Sequence, residues 1–250
     1  MDAPKDRFVT VYGRRPVLEA LADERLRIDK VILADNARGA SAREIRAAAA
    51  ARDVPVQRAN PTRVKLLAGN GRHDQGVLAD VVAPRMRTLA AALTEDYRSR
   101  PESVLLLDGI TTPANVGTIL RSATAAGIAG IVVPHHGVAA IDPLVVKSSA
   151  GVAFRAPVLR CGNAVEAAEL LTESGYEIVG LAADGAETIY TAEFSGRIAF
   201  VVGSEHAGVS PQVRPFVSRW VSIPMAAEVE SLNVSAATTV LCFELTRRRG

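Results

Sequence analysis

The apolar run Ile198-Ala199-Phe200-Val201-Val202 is followed directly by the polar, glycine-bounded segment Gly203-Ser204-Glu205-His206-Ala207-Gly208. Five apolar residues in succession are typical of a strand that is buried on both faces of a parallel sheet. The segment behind the strand then lies at its carboxyl end, where open parallel sheets bind their ligands. This stretch therefore predicts an α/β fold and one wall of a ligand site.

The same alternation of apolar runs and helical patterns continues through the second half of the chain. Strands are predicted at Val104–Leu107, Ile131–Val133, Ile178–Leu181, Ile198–Val202 and Trp220–Ile223. Helices are predicted at Ala114–Ala126, Pro143–Ala150, Val165–Ser174 and Pro211–Val217, and from Asn233 onward. Continuously apolar strands that are separated by helices indicate a mostly parallel sheet with both faces covered.

The first 80 or so residues predict a smaller α/β layer. Its strands are expected at Lys30–Ala34, Val54–Val56 and Gln75–Val82. Ser41 and Glu44 indicate a capping box before an alanine-rich helix. Asn60 is predicted to cap the next helix. The following segment, 84–102, is expected to be a linker with one helical stretch at Leu89–Leu93.

Composition places the chain among ordinary globular proteins, with 48% hydrophobic and 22% charged residues. The longest apolar runs have strand length, which predicts no membrane association. The segment Met1–Asp6 carries no apolar signal region. Cys161 and Cys242 lack a partner spacing and are expected to be buried thiols. These features predict a cytoplasmic protein.

Charge is unevenly distributed although the net charge is only +2. Residues 1–87 hold 17 Lys/Arg and 11 Asp/Glu, whereas residues 88–250 hold 12 and 16. A basic first third suggests contact with a polyanion such as nucleic acid. An arginine-rich surface that is simply solvated explains the charge alone equally well.

Several common sites are excluded by their missing motifs. No G-x-G-x-x-G follows a strand, and no G-x-x-x-x-G-K-[ST] is present, so neither a common dinucleotide site nor a triphosphate site is supported. His135 and His136 are adjacent, whereas His73 and His206 are isolated. Without a Cys/His cluster, no metal is expected.

Polar segments follow three of the predicted strands and should meet at one edge of the sheet. They are Asp108–Gly117 with Arg121 one turn on, Gly203–Gly208, and the segment from Ile223 through Glu228 and Glu230 to Ser235. Each also has a purely structural explanation. Asn115 and either Ser231 or Asn233 can be helix caps, and the glycines can serve turns alone. Three such segments at one edge favour a functional site.

In order and spacing, these segments resemble the three signature motifs of the SpoU/TrmH family of RNA ribose 2′-O-methyltransferases, within the SPOUT superfamily. The motifs are Asn115-x-Gly117-x-x-x-Arg121, Gly203-x-Glu205-x-x-Gly208, and Ile223-Pro224-Met225 with Ser231-Leu232-Asn233-Val234-Ser235. The resemblance covers residues 103–250. Tyr12–Leu21 and Gln75-Gly76 are similar to the RNA-binding domain of the ribosomal RNA members.

The resemblance implies a fold and an assembly. Residues 103–250 would form a SPOUT catalytic domain with a mostly parallel sheet and a deep trefoil knot. Residues 7–83 would form a small α/β RNA substrate-binding domain like ribosomal protein L30e, joined by a linker at 84–102. A homodimer is implied, with the active site completed across its interface.

The resemblance also implies the site residues. S-adenosyl-L-methionine would be bound at Gly203, Ile223 and Leu232, with Met225 beside them. The catalytic group would be Asn115, Arg121, Glu205, Ser231 and Asn233. The motif position of Arg121 is regarded as the base in this family, but a guanidinium stays protonated at neutral pH. Stabilising a developing alkoxide or clamping a phosphate suits it better, with Asn115 and Glu205 holding it in place.

The expected substrate is a guanosine ribose of large-subunit (23S) ribosomal RNA, because transfer RNA members of the family usually lack the N-terminal domain. Transfer RNA methylation is the near alternative, and methylation of ribosomal RNA that confers antibiotic resistance is another. A non-catalytic RNA-binding protein would be a different class. It would not need all five catalytic positions.

Overall fold

The computed structural model describes residues 6–69, 74–226, 229 and 231–249. His73, Glu228 and Glu230, which entered the sequence predictions, lie outside the described residues. Within them the chain forms two sheets, one of four strands and one of eight.

The smaller sheet is mixed and has the strand order β1-β4-β2-β3. β4 runs antiparallel to β1 and β2, and β3 runs parallel to β2. Its strands are β1 (Phe8–Tyr12), β2 (Ile28–Ala34), β3 (Val56–Ala59) and β4 (Val77–Val82). Its helices are α1 (Arg14–Ala22), α2 (Ala40–Ala50) and α3 (Pro61–Ala68).

The helix starts of this sheet test two predictions. Asn60 caps α3 as predicted, since its side chain accepts a hydrogen bond from Arg63 N at 2.8 Å. The capping box at Ser41 is wrong, because the N-cap of α2 lies two residues earlier, at Gly39, and makes no side-chain cap bond. Gly39 has φ +88°, a conformation that favours glycine, and it sets the start of the helix.

All strand pairings in the larger sheet are parallel, in the order β10-β12-β9-β11-β6-β7-β8-β5. Its strands are β5 (Arg87–Thr88), β6 (Ser103–Leu107), β7 (Gly130–Pro134), β8 (Val158–Cys161), β9 (Glu177–Leu181), β10 (Glu187–Thr188), β11 (Ile198–Val202) and β12 (Arg219–Ser222). The accompanying helices are α4 (Leu89–Leu93), α5 (Pro113–Ala125), α6 (Pro143–Ser148), α7 (Ala164–Glu173) and α8 (Val234–Arg249). The predicted α/β class and mostly parallel sheet are confirmed.

Both faces of the larger sheet are buried, as its uninterrupted apolar strands predicted. Leu105 and Leu107 of β6 pack into one hydrophobic cluster, and Val104 and Leu106 pack into another on the opposite face. Successive side chains of a strand point to opposite faces, so a strand covered on both sides must be apolar throughout.

Two segments differ from their predictions. The predicted helix Pro211–Val217 is wrong, because only a short 3₁₀ turn forms at Arg214–Phe216. Pro215 lacks the N–H that an α-helix would need there, and it disfavours helical backbone in the preceding residue. The segment 84–102 does contain the predicted helix Leu89–Leu93, and it also adds β5 to the edge of the larger sheet.

Helix α5 is seated closely against α6. A Cβ added to Gly117 would lie within 3.0 Å of Ser148 and of the Val145 carbonyl oxygen, so only glycine permits this approach. The close contact fixes α5, which carries Asn115 near its first turn.

Helix α8 is held by groups from distant parts of the chain. Thr246 donates to the Ala126 carbonyl at 2.7 Å, and Arg249 donates to Ser103 Oγ at 2.7 Å. Arg248 donates to the carbonyls of Ala192, at 2.6 Å, and Ile189. These bonds fix the end of α8 against both α5 and the loop that follows β10.

Candidate active site

Two of the three predicted polar loops are braced against each other at the carboxyl edge of the larger sheet. Asp108, which follows β6, has a buried carboxylate that accepts a hydrogen bond from Ser210 N at 2.6 Å. Its own N–H donates to the Val202 carbonyl of β11 at 3.0 Å. A buried carboxylate needs such donors, so the first and second loops are held in one arrangement.

The second loop closes on itself directly after β11. Ser204 and Gly208 exchange two backbone hydrogen bonds, of 3.0 and 2.9 Å. A Cβ on Gly203 would lie within 3.0 Å of the backbone of Gly208 and Val209, so a side chain cannot be accommodated. Gly203 is therefore required by the close backbone approach, and Glu205 is carried at the tip of the closed loop.

Asn233 joins all three loops through its side-chain amide. Nδ2 donates to Asn115 Oδ1 at 3.1 Å and to the Glu205 carboxylate. Oδ1 accepts from Ser235 N at 2.9 Å, which caps the start of α8. The cap predicted for Ser231 or Asn233 is confirmed at Asn233, and the same side chain also connects residues 118 and 28 positions away along the chain.

A cavity of about 340 Å³ opens beside this group. It falls within the range of about 300–1,000 Å³ that small-molecule sites occupy. Apolar side chains supply part of its wall, and loop backbone at the glycines supplies another part. The predicted site residues that line it are Gly203, Ile223, Met225, Leu232, Glu205 and Ser231.

Other lining residues were not among the predicted site residues. Leu181 is the last residue of β9 and Asp184 follows that strand, and Arg214 and Trp220 come from the segment between β11 and the end of β12. Asp184 could have been found with the rule applied to the three other loops, since it also follows a predicted strand. Arg214 offered no such signal, because it lay in the helix that did not form.

Arg121 is not joined to the other predicted catalytic residues in this chain. It is exposed on α5, and among the described residues it makes no hydrogen bond or ion pair. Six helical residues separate it from Asn115, a rise of about 9 Å with a change of helix face. Asn115 and Glu205 bond to Asn233, and neither bonds to Arg121 among the described residues of this chain, so their role in holding Arg121 stays a prediction.

Thiol and metal chemistry find no support in the described parts of the chain. Burial raises the pKa of both Cys161 and Cys242 to about 12, so both thiols stay protonated at neutral pH. Three or more His, Cys, Asp or Glu residues do not cluster as metal ligands anywhere in residues 6–69, 74–226, 229 and 231–249. No helix in those ranges is long and apolar enough to cross a membrane.

Comparison with protein-family models gives two matches. Residues 102–243 match the SpoU rRNA methylase family. The chain belongs to this family. Residues 10–87 match a second model, described as RNA 2′-O ribose methyltransferase substrate binding. This SpoU methylase is therefore an RNA ribose 2′-O-methyltransferase, as its three motifs predicted.

Curated relatives resemble this SpoU methylase along most of its length. The 23S rRNA (guanosine-2′-O-)-methyltransferase of Xanthomonas axonopodis pv. citri is 33% identical over 241 residues, covering 96% of both chains. The enzyme of the same name from Escherichia coli K12 is 36% identical over 186 residues, covering 72% of this chain and 74% of that protein.

Solved structures share the fold of this SpoU methylase. The SpoU methyltransferase AviRb from Streptomyces viridochromogenes has a TM-score of 0.65 and 26% identity, covering 98% of this chain and 91% of its own. A second AviRb structure, in complex with the cofactor AdoMet, has a TM-score of 0.61 at the same identity.

Proposed function

We propose that this SpoU methylase transfers the methyl group of S-adenosyl-L-methionine to the ribose 2′-hydroxyl of a guanosine in 23S ribosomal RNA. One observation carries the proposal. Asn233 joins Asn115 to Glu205, and Glu205 lines a cavity together with Gly203, Ile223, Met225 and Leu232. Polar groups that converge beside a small-molecule cavity are the arrangement that group transfer between two substrates requires.

The cavity fits the proposed cofactor. Gly203 leaves room where any Cβ would meet backbone, and apolar walls at Ile223 and Leu232 suit an adenosine. Asp184 and Glu205 add negative charge to the lining, which suits a cationic ligand. When bound, S-adenosyl-L-methionine supplies an electrophilic methyl group on its sulfonium.

The chain's own residues orient the ribose and stabilise charge. Glu205 and Asn115 are fixed by the Asn233 amide, so their remaining polar atoms are preorganised toward the entering hydroxyl, with Ser231 beside them. Arg121 stabilises the negative charge that develops on the ribose oxygen as this oxygen takes the methyl group and its proton passes to solvent water. In this assignment Arg121 is an electrostatic group and not a base.

A homodimer completes the site in this proposal. Arg121 is exposed and lacks a partner among the described residues, so a second copy can bring it to the reacting ribose. Phe243 on α8 is 50% exposed, and α8 lies along α5 through the bond between Thr246 and Ala126. An exposed aromatic side chain of this size is typical of an interface.

The target follows from the relatives and from the N-terminal sheet. The two relatives compared above are named for a guanosine of 23S ribosomal RNA. We assign residues 7–83 to an L30e-like domain that binds the RNA, 84–102 to the linker and 103–250 to the catalytic domain. The family match at residues 10–87 and the basic charge of residues 1–87 support this division.

We extend the proposal to a trefoil knot in residues 103–250 and to action in the cytoplasm, where ribosomal RNA substrates are made in bacteria such as those of the relatives. Support for the knot comes from α8, whose Arg248 is hydrogen-bonded to Ala192 and Ile189 in the loop after β10. A knot of this kind brings the C-terminal helix into contact with an earlier loop, and these two hydrogen bonds are such a contact.

The test is methyl transfer from labelled S-adenosyl-L-methionine to separated 23S, 16S and transfer RNAs, followed by mapping of the modified ribose. We expect label on one guanosine of 23S RNA. Label on transfer RNA alone would show that transfer RNA is the substrate in place of 23S RNA. Label on no RNA, under conditions where cofactor binding is measured, would favour a non-catalytic RNA-binding protein.

An Arg121→Ala variant separates catalysis from binding in the same assay. We expect transfer to be abolished while cofactor affinity stays within about twofold, since Arg121 does not line the cavity. Arg155→Ala is the matched control, because this arginine is also exposed and lies outside the motifs.

A further inference from the structure

Arg214 stands at the wall of the cofactor cavity, and none of the described residues is its anionic partner. Its Nε donates to the Val209 carbonyl at 3.0 Å, and its guanidinium lies 5.4 Å from the centre of the Trp220 ring. Within the described residues its two terminal nitrogens make no hydrogen bond and it forms no ion pair. The guanidinium is thus held by Val209 and Trp220, and no described residue of the chain occupies its terminal donors, which can meet a ligand.

The charges of the cavity lining are complementary to the amino-acid end of S-adenosyl-L-methionine. Arg214 is the one cation among the described residues of the lining, and Asp184 and Glu205 are its two carboxylates. S-adenosyl-L-methionine carries one anionic group, the α-carboxylate, and two cationic ones, the ammonium and the sulfonium. Among the described residues of the lining, matching opposite charges leaves Arg214 for the carboxylate, and a planar guanidinium binds carboxylates through paired hydrogen bonds.

We infer that Arg214 binds the α-carboxylate of the cofactor and thereby selects ligands that retain the amino-acid end. The inference rests on the proposed function, because it uses the cavity assigned there to S-adenosyl-L-methionine. Arg214 would then be a specificity-determining residue that lies outside the three motifs.

Two ligands distinguish this role. S-adenosylhomocysteine has the amino-acid end, and methylthioadenosine is the same nucleoside thioether without it. Calorimetry on the full chain without RNA measures both affinities for the wild type and for Arg214→Gln. We expect Arg214→Gln to bind S-adenosylhomocysteine about tenfold more weakly, as for the loss of a charge-assisted hydrogen bond, and methylthioadenosine within about twofold.

Arg214→Lys is the matched variant that keeps the charge and loses the planar fork. Its affinity for S-adenosylhomocysteine should lie between those of the wild type and Arg214→Gln. Unchanged binding of methylthioadenosine also shows that each variant retains the folded cavity.

Other outcomes overturn the inference in distinguishable ways. Equal losses for both ligands would make Arg214 a structural support of the cavity. Unchanged binding of S-adenosylhomocysteine by Arg214→Gln would show that Arg214 does not bind the carboxylate. A wild type that binds neither ligand would refute the cofactor site itself, and with it the proposed function.

Discussion

Asn233 has two separable duties, because its side chain uses two different atoms. Oδ1 caps α8 at Ser235 N, whereas Nδ2 holds Asn115 and Glu205. Replacing Asn233 by Ala removes both interactions. Replacing it by Asp keeps the accepting oxygen, removes the donor and places a carboxylate beside Glu205. The two variants therefore separate helix capping from assembly of the site.

The expected magnitudes differ clearly. Loss of an N-cap costs about 1 kcal/mol, which lowers the Tm of a chain of this size by about 2–4 °C. Asp is as good a cap as Asn, and its charge is favourable at a helix N-terminus. We therefore expect Asn233→Asp to unfold within about 1 °C of the wild type, and Asn233→Ala to unfold about 2–4 °C lower.

Both variants should lose catalysis. A hydrogen bond to a charged group contributes about 1.5–3 kcal/mol, so loss of the donor to Glu205 should lower kcat by roughly 10- to 100-fold. Thermal unfolding and single-turnover methyl transfer measure the two effects on the same samples. Wild-type turnover in Asn233→Asp would refute the role of the amide donor. A Tm as low as that of Asn233→Ala would refute the separation of duties.

Three further predictions follow. Gly203→Ala should weaken S-adenosylhomocysteine binding at least tenfold and lower the free energy of unfolding by about 1–3 kcal/mol, because the added Cβ would clash with backbone atoms. Unchanged affinity in calorimetry would contradict the cavity assignment. Arg121→Ala should abolish labelling of RNA and leave that affinity intact, and a parallel loss of affinity would argue against an electrostatic role. Hydrogen bonds from Arg247 and Arg248 lower the pKa of Glu244 from 4.5 to about 2. A carboxylate with a lowered pKa stabilises the fold above pH 4.5 and loses that effect as pH falls toward 2, so urea unfolding of Glu244→Gln should depend less on pH across this window than that of the wild type.

The larger sheet was predictable because its strands carry their own signal. β11 spans Ile198–Val202, the run predicted from the sequence, since an apolar segment of that length has few alternatives. β8 gave no such signal because Arg160 interrupts it. In the structure this buried arginine donates to the Val133 carbonyl at 2.7 Å and contacts His135 Nδ1 at 2.7 Å. Those partners come from β7 and its end, so only the tertiary structure permits the charge there.

The location of the site could be predicted from the sequence, but most of its side-chain contacts could not. The rule that ligands bind at the carboxyl edge located the loops that carry Gly203 and Asn233, and the motifs supplied the residue types. Which atom bonds to which depends on side-chain geometry across more than 100 residues of sequence, as for Asn233 and Asn115. That is why Arg121 was expected beside Asn115 and is found on another face of α5.

The attachment of α8 has a consequence for how the enzyme comes into being. Helix α8 is synthesised after every strand of the larger sheet, and Ser231 and Asn233 lie just before it. Its anchoring partners at Ser103, Ala126 and Ala192 are complete long before. A nascent chain that ends before Ser231 has every strand of the larger sheet but lacks one wall of the cavity and the amide that joins the loops. The capacity to methylate therefore arises only after every strand of the larger sheet has been synthesised, when most of the core has had time to form.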